Sequence, residues 1–256
     1  MFDFNKDYIE DKTIWMFWTG ENKMSDQRKR CYEQFCETNH HCNVRLVTAK
    51  EVETLPDIHE GYQFLSETHK GDNLRSYFLY HFGGGYSDVK RSHEDWTPYF
   101  NRINESENLY AIGYGEKHVD HVAFLEGCRL DPEKSKHCRD FTLDDSGKKW
   151  SSKHVREGWR KLIGNGAYIC KKGTPLVKEW WLGLTEKMDG YLPELKQYPS
   201  KWPRDSHNHV DPNTGLKSKY PIPWPVICGN IFHPLVLKYN EHIDRDLPYP
   251  DMGGYL

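Results

Sequence analysis

Two acid–base pairs stand close together in the stretch KGDNLRSYFLYHFGGGYSDVK, residues 70–90. Asp72 and Arg75 are three apart, the spacing that puts two side chains on one face of a helix. Asp88 and Lys90 are two apart, the spacing that projects both from one side of an extended segment. Between the pairs lie Gly83, Gly84 and Gly85, which permit a left-handed helix end and let the backbone pass close to another group. An acid, a base and a close backbone approach at the end of a strand suit a ligand that carries phosphates, with or without a metal. The same spacing also fits a glycine-rich turn with a surface Asp–Lys pair, an arrangement worth little energy.

Other reactive side chains form weaker patterns. His207, His209 and Asp211 alternate in HNHVD, a possible ligand set if that segment is extended. Cys31, Cys36 and Cys42, with His40 and His41, lack the C-x-x-C spacing of a structural zinc site and read as packed thiols. The seven cysteines are irregularly spaced, which favours reduced thiols in a cytoplasm-like compartment.

The elements that must position these groups follow from periodicity and caps. KTIWMFWTG (12–20) reads as a buried strand running into a loop, and NVRLVT (43–48) as a second strand. Residues 25–39 read as a surface helix capped near Ser25 or Asp26, and Thr48 with Glu51 forms a capping box. Leu74, Phe78 and Phe82 recur every four residues and predict an amphipathic helix over 70–82 with Asp72 and Arg75 off the apolar stripe. GGGYSDV, NLYAIGY (108–114) and NGAYICKKG predict three more strands, and Thr174-Pro175 opens a further helix. The charged, aliphatic-poor stretch 129–160 reads as a surface excursion, and 193–225, with seven of the 14 prolines, as irregular chain. Alternating strands and helices predict an α/β fold with a mixed, largely parallel central sheet and long irregular C-terminal loops, its cleft at the carboxyl ends of the strands.

Composition narrows the function classes. The 35 basic and 38 acidic side chains nearly cancel, which gives no electrostatic case for nucleic acid as a partner. Aromatic residues make up 14% of a chain that is 37% hydrophobic, which predicts a core of rings, with rings left over for a cleft wall. The longest apolar run is too short to span a membrane, and MFDFNKDYIED lacks an apolar signal region, so the expected location is cytoplasmic, with peripheral membrane association left open. At 256 residues one domain is expected.

The 70–90 stretch resembles the signature of sugar transferases with the GT-A fold, the group with a sugar-binding region and a D-x-D motif. It includes yeast-type initiating mannosyltransferases, capsular polysaccharide synthesis proteins and glucosylating bacterial toxins. Asp72, Arg75, Leu79, Gly83, Gly84, Tyr86 and Asp88 match that pattern at its spacing. IWMFWTG resembles the family's first strand, which ends in a tryptophan, and IGNGAYICKKGTPLVKEWW resembles its later asparagine–strand–helix segment. The resemblance implies a single GT-A domain over 1–256, with a nucleotide-sugar half over about 1–114 and an acceptor half over about 115–256.

It also implies a glycosyltransferase that moves a sugar from a UDP- or GDP-activated donor to a glycan or glycoprotein, with retention of configuration. Trp18 would stack on the base, with Thr19 and Gly20 admitting the nucleotide, and Gly84 and Gly85 would bring backbone close to it. Asp72 would accept from sugar hydroxyls, Arg75 would reach the diphosphate, Asp88 would hold the cation or sugar, and Asn165 would contact the donor. Core packing of Trp18, an internal Asp72–Arg75 pair and a capping role for Asn165 are the competing readings. The second aspartate of D-x-D is Lys90 here. A protonated lysine cannot ligate metal, so three outcomes stay open: Mn2+ or Mg2+ held by Asp88 and a distant ligand such as His233, which is read as following a strand in the apolar run WPVICGNIFHPLVLKY (224–239), Lys90 acting in place of the cation, or impaired chemistry. Glu116, Asp120, Glu126 and Asp95 are candidate general bases, and Trp202 and Trp224 candidate acceptor walls. A non-catalytic nucleotide- or sugar-binding module and a metal-dependent hydrolase are the readings from other classes.

Overall fold

A computed structural model describes residues 2–124, 152–251 and 253. Glu126 and most of the 129–160 excursion lie outside the described residues; within 152–160, α5 (Ser152–Glu157) departs from a purely surface segment, with Val155 fully buried.

Apolar runs become strands where the alternate residues can be buried on opposite faces. β1 (Thr13–Trp18), β2 (Asn43–Thr48), β3 (Gly84–Ser87), β4 (Ala111–Gly115), β5 (Ile163–Cys170) and β6 (Ile243–Asp244) form one sheet in the order β2-β1-β3-β5-β4-β6. β1 pairs in parallel with β2 and β3, and β4 with β6, whereas β5 runs antiparallel to both its neighbours. The fold is therefore α/β around a mixed, mostly parallel open sheet, as expected. β5 and β6 come from the C-terminal half, so the two expected halves are interleaved in one sheet.

The period of two decides which face each ring enters. Trp15, Tyr86, Tyr168 and Cys170 point to the face covered by α3 (Glu67–His81), α6 (Pro175–Gln197) and α7 (Gly229–Lys238). Ile14, Met16, Ala167 and Ile169 point to the face covered by α1 (Asp26–Thr38) and α4 (Thr97–Glu105). The core is built of rings: Trp15, Trp96, Trp180, Tyr77, Phe78 and Phe82 are wholly buried, and Trp15 meets Phe78 edge-on at 5.0 Å between centroids.

Several local signals hold. Ser25 caps α1 by accepting from the Arg28 N–H, and the Thr48–Glu51 capping box is formed, although α2 (Ala49–Val52) is a single turn. Two expectations fail. Helix α3 starts at Glu67 behind the Ser66 cap, and it is not amphipathic: Asp72 through Leu79 are all buried, because the sheet covers one side and α6 with the C-terminal chain around Tyr220 and Trp224 the others. WPVICGNIFHPLVLKY contains helix α7 rather than a strand, since an apolar run buried all round carries no periodicity to tell the two apart. Thr174 occupies the N-cap of α6 with Pro175 at the first helical position, as expected, although its hydroxyl bonds to the Lys171 carbonyl rather than to a helix N–H.

The three glycines serve the chain itself. Gly83 takes φ +66° as the left-handed exit of α3, its N–H donating to the Leu79 carbonyl. Gly84 takes φ +97°, and a Cβ there would lie 2.8 Å from the Thr13 carbonyl oxygen of β1. Gly84→Ala combines backbone strain with that collision and is expected to destabilise the fold by about 3 kcal/mol or more. A urea titration checks this, and a midpoint within error of wild type would refute it.

Candidate functional site

The carboxyl ends of β1, β3 and β4 open on one cleft of about 950 Å³, which the amino end of the reversed β5 also reaches. Trp18, Thr19 and Gly20 line it from β1, Asp88 and Lys90 from beyond β3, and Asn165 with Gly166 from β5. Asp72 and Arg75 line it from α3, and Trp224, Pro225 and Cys228 from the irregular segment that leads into α7. Segments far apart in sequence thus present the expected residues to one crevice.

Arg75 is its best-anchored member. One guanidinium nitrogen lies 2.8 Å from Asp72 Oδ1, another donates to the Asn165 backbone carbonyl at 2.6 Å, and Nε donates to the Gly71 carbonyl. The guanidinium also lies over the Tyr86 ring at 4.6 Å. The internal Asp72–Arg75 pair is therefore formed, and Asp72 is committed to it rather than presented to a ligand. Burial, deepened by the nearby Asp88 charge and only partly offset by Arg75, pushes the Asp72 carboxyl up to about 6.

Asp88 has the opposite character. The Tyr86 hydroxyl donates to its Oδ1 at 2.6 Å, and the Lys90 ammonium sits 2.9 Å from its Oδ2. Arg75 approaches Oδ1 at 4.0 Å. Burial works against the Asp88 charge, but Lys90, then Arg75 and Tyr86 outweigh it and hold the carboxyl below its ordinary range. One carboxylate is thus kept ionised while its neighbour titrates well above it, a separation that lets two acids take different roles.

Asn165 and Gly166 complete the floor. The Asn165 amide lies 3.3 Å from His233 Nε2, and among the described residues its Oδ1 has no hydrogen-bond partner. A Cβ on Gly166 would lie 3.3 Å from Asp88 Oδ2 and 3.2 Å from the Tyr114 hydroxyl, so the bare backbone keeps space open beside the ion pair. Gly164 is required because any side chain there would collide with the Tyr114 ring.

Two assignments are corrected. Gly84 and Gly85 do not line the cleft: Gly84 is pressed on β1, and Gly85 on Phe100, Ile14 and Trp96. His233 follows no strand. It lies in α7, wholly buried behind Asn165, and burial lowers its imidazole to about 3, so it is neutral. Of the candidate bases, Glu116 lines the cleft and burial raises it to about 7. Asp95 caps α4 through the Thr97 N–H, and Asp120 is exposed beside His118. Trp224 lines the cleft and Trp202 does not. Tyr114, Tyr249, Glu67 and Cys228 also line it and were missed. For Tyr114 the signal was legible in the spacing, since it ends the NLYAIGY strand two residues before Glu116.

The residues present do not fit a divalent-cation site. Both Asp88 oxygens are engaged, Asp72 is paired, and His233 Nε2 faces the Asn165 amide. Among the described residues no group of three or more His, Cys, Asp or Glu side chains is arranged to hold a metal. His207 and His209 face the carbonyls of Tyr220 and Arg204 instead. The five described cysteines are free thiols, and no helix among the described residues is long and apolar enough to cross a membrane.

The wall carrying Trp224 hangs on one buried imidazole. His69 Nε2 donates to the Trp224 carbonyl at 3.2 Å, and Nδ1 accepts from the Tyr220 hydroxyl at 2.9 Å. Burial lowers His69 from 6.5 to about 4. The folded state resists protonation, so its contribution is present above pH 6.5 and is lost as pH falls toward 4. Asp72 and Glu116 act in the opposite sense, so the effect is read by difference. Between pH 7.5 and 5, His69→Gln should lose about 2 kcal/mol less than wild type in urea unfolding. Parallel pH profiles would show that His69 is not buried neutral.

Compared with models of known protein families the sequence matches none, and it matches no curated protein.

Proposed function

We propose that the protein is a glycosyltransferase of GT-A type that moves a sugar from a UDP- or GDP-activated donor to a hydroxyl of a glycan or glycoprotein, with retention. One observation carries the reading: Trp18, the Asp72–Arg75 pair, Asp88 with Lys90, and Asn165 surround a single cleft at the carboxyl ends of the parallel strands. In this assignment Trp18 packs on the base, and Thr19, anchored to Glu67, with Gly20 shapes the nucleoside pocket. Arg75 and Lys90 face the diphosphate, and Asp88 and Asn165 hold donor-sugar hydroxyls. Trp224, 42% exposed at the rim, offers a ring to the acceptor.

The test is thermal shift and calorimetry against UDP, GDP, CDP and dTDP, followed by hydrolysis of the matching sugar nucleotide. Binding of one nucleotide with slow hydrolysis of its sugar ester is expected. A folded chain that binds none of the four refutes the reading. Tight binding with no turnover would favour a nucleotide-binding module, a reading to which the Asp88–Lys90 pairing lends weight because it already satisfies the carboxylate.

A further inference from the structure

We propose that this cleft binds the diphosphate of its nucleotide without a divalent cation, the Lys90 ammonium seated on Asp88 supplying the positive charge that a metal would otherwise bring. The inference rests on the glycosyltransferase reading and deepens it.

The observations come from the geometry around Asp88. A divalent cation on that carboxylate would have to compete with the Tyr86 hydroxyl for Oδ1 and with the Lys90 ammonium for Oδ2. A cation placed there would stand against an ammonium 2.9 Å from the same oxygen, like charge on like charge. Lys90 cannot readily swing away, because the residue is 6% exposed and packed into the cleft wall. His233, the distant ligand expected from the sequence, is turned to Asn165. Lys90 and Arg75 are the positive side chains paired with Asp88 itself, the second at 4.0 Å, while Lys23, Arg28 and Arg204 also line the cleft. Gly166 leaves the floor open beside them: a methyl there would fall 3.6 Å from Lys90 Nζ.

The chemistry balances without a metal. The bond between the anomeric carbon and the β-phosphate oxygen breaks, and its electron pair stays on that oxygen, where the ammonium meets the growing charge. The acceptor oxygen forms the new bond to the anomeric carbon, and its proton passes to the released diphosphate.

Calorimetry of the full chain with UDP and GDP, each in EDTA and in Mn2+, tests this directly. The wild type is expected to bind its nucleotide in EDTA within threefold of its affinity in Mn2+. Lys90→Ala should weaken binding at least tenfold in EDTA with no rescue by Mn2+, and Lys90→Arg should retain metal-free binding. Lys90→Asp, which restores a second carboxylate, should bind only when Mn2+ is present. Thermal melts confirm that each variant is folded, and if Lys90→Ala is not, the wild-type comparison and Lys90→Arg decide. A wild type that loses tenfold or more in EDTA, or a folded Lys90→Ala with unchanged affinity in EDTA, overturns the inference while leaving the glycosyltransferase reading intact. Failure to bind any nucleotide in either condition overturns both.

Discussion

Replacing Arg75 with methionine is expected to cost about 3–5 kcal/mol of stability, because it strands a buried carboxylate. Asp72 is 4% exposed and Arg75 lies 2.8 Å from it, so no water takes over when the guanidinium goes. The Asn165 carbonyl loses its donor as well, which loosens the start of β5 that carries Gly166. The pH profile supplies the sign. Asp72 already titrates at about 6 in the folded chain against 3.8 unfolded, and without Arg75 it rises further. A carboxyl raised in the folded state contributes stability below its unfolded value and loses it as pH climbs through the folded value. Arg75→Met should therefore be more damaging at pH 8 than at pH 5, relative to wild type. The double variant Arg75→Met/Asp72→Leu, which removes both charges, should recover about 2 kcal/mol or more of the loss. Urea unfolding at both pH values checks this. A single-variant cost under about 1 kcal/mol with no pH dependence would show that the pair is not what holds the wall.

Asp88→Asn should separate stability from chemistry. The amide keeps the shape of the carboxylate and can still accept from Tyr86, and the side chain is 30% exposed, so the expected stability loss is only about 1 kcal/mol. On the proposed assignment, transfer should fall about 10²–10³-fold, the usual cost of removing one preorganised electrostatic contact to the reacting group. Binding of the product nucleotide should move the other way. Lys90 loses a full negative partner at 2.9 Å, so more of its charge is left for the diphosphate, and UDP or GDP should bind several-fold more tightly. Single-turnover rates and product calorimetry read the two effects separately. Turnover within threefold of wild type would remove Asp88 from the mechanism.

Much of the site was legible because its positions follow from short-range rules. An aspartate and an arginine three apart must share a helix face, and a carboxylate beyond a strand end must reach the edge of the sheet. The role of Asp72 was not legible. Its spacing is the same on an exposed helix and on a buried one, and only the second commits its carboxylate to Arg75. The glycines were read correctly as conformational devices but not for what they approach: Gly84 makes room for β1, whereas Gly166, inside GNG, makes room in the cleft. His233 was misplaced because α7 is buried all round, which removes the periodicity that marks a helix.

By itself the sequence determined where β1 to β5 and the Ser25 and Thr48 caps fall, that rings would build the core, and that an acid, an arginine, a carboxylate and a lysine would stand near one sheet edge. Those features depend on interactions within a few residues along the chain. Tertiary structure alone decided that β5 enters the sheet reversed between β3 and β4, and that the Asn165 carbonyl, 90 residues on, fixes Arg75. It also decided that the Asp88 carboxylate is filled by Lys90 and Tyr86. Burial and charge pairing depend on which distant surfaces meet, and that is set by the packing of the whole sheet and its two helical layers rather than by any local pattern.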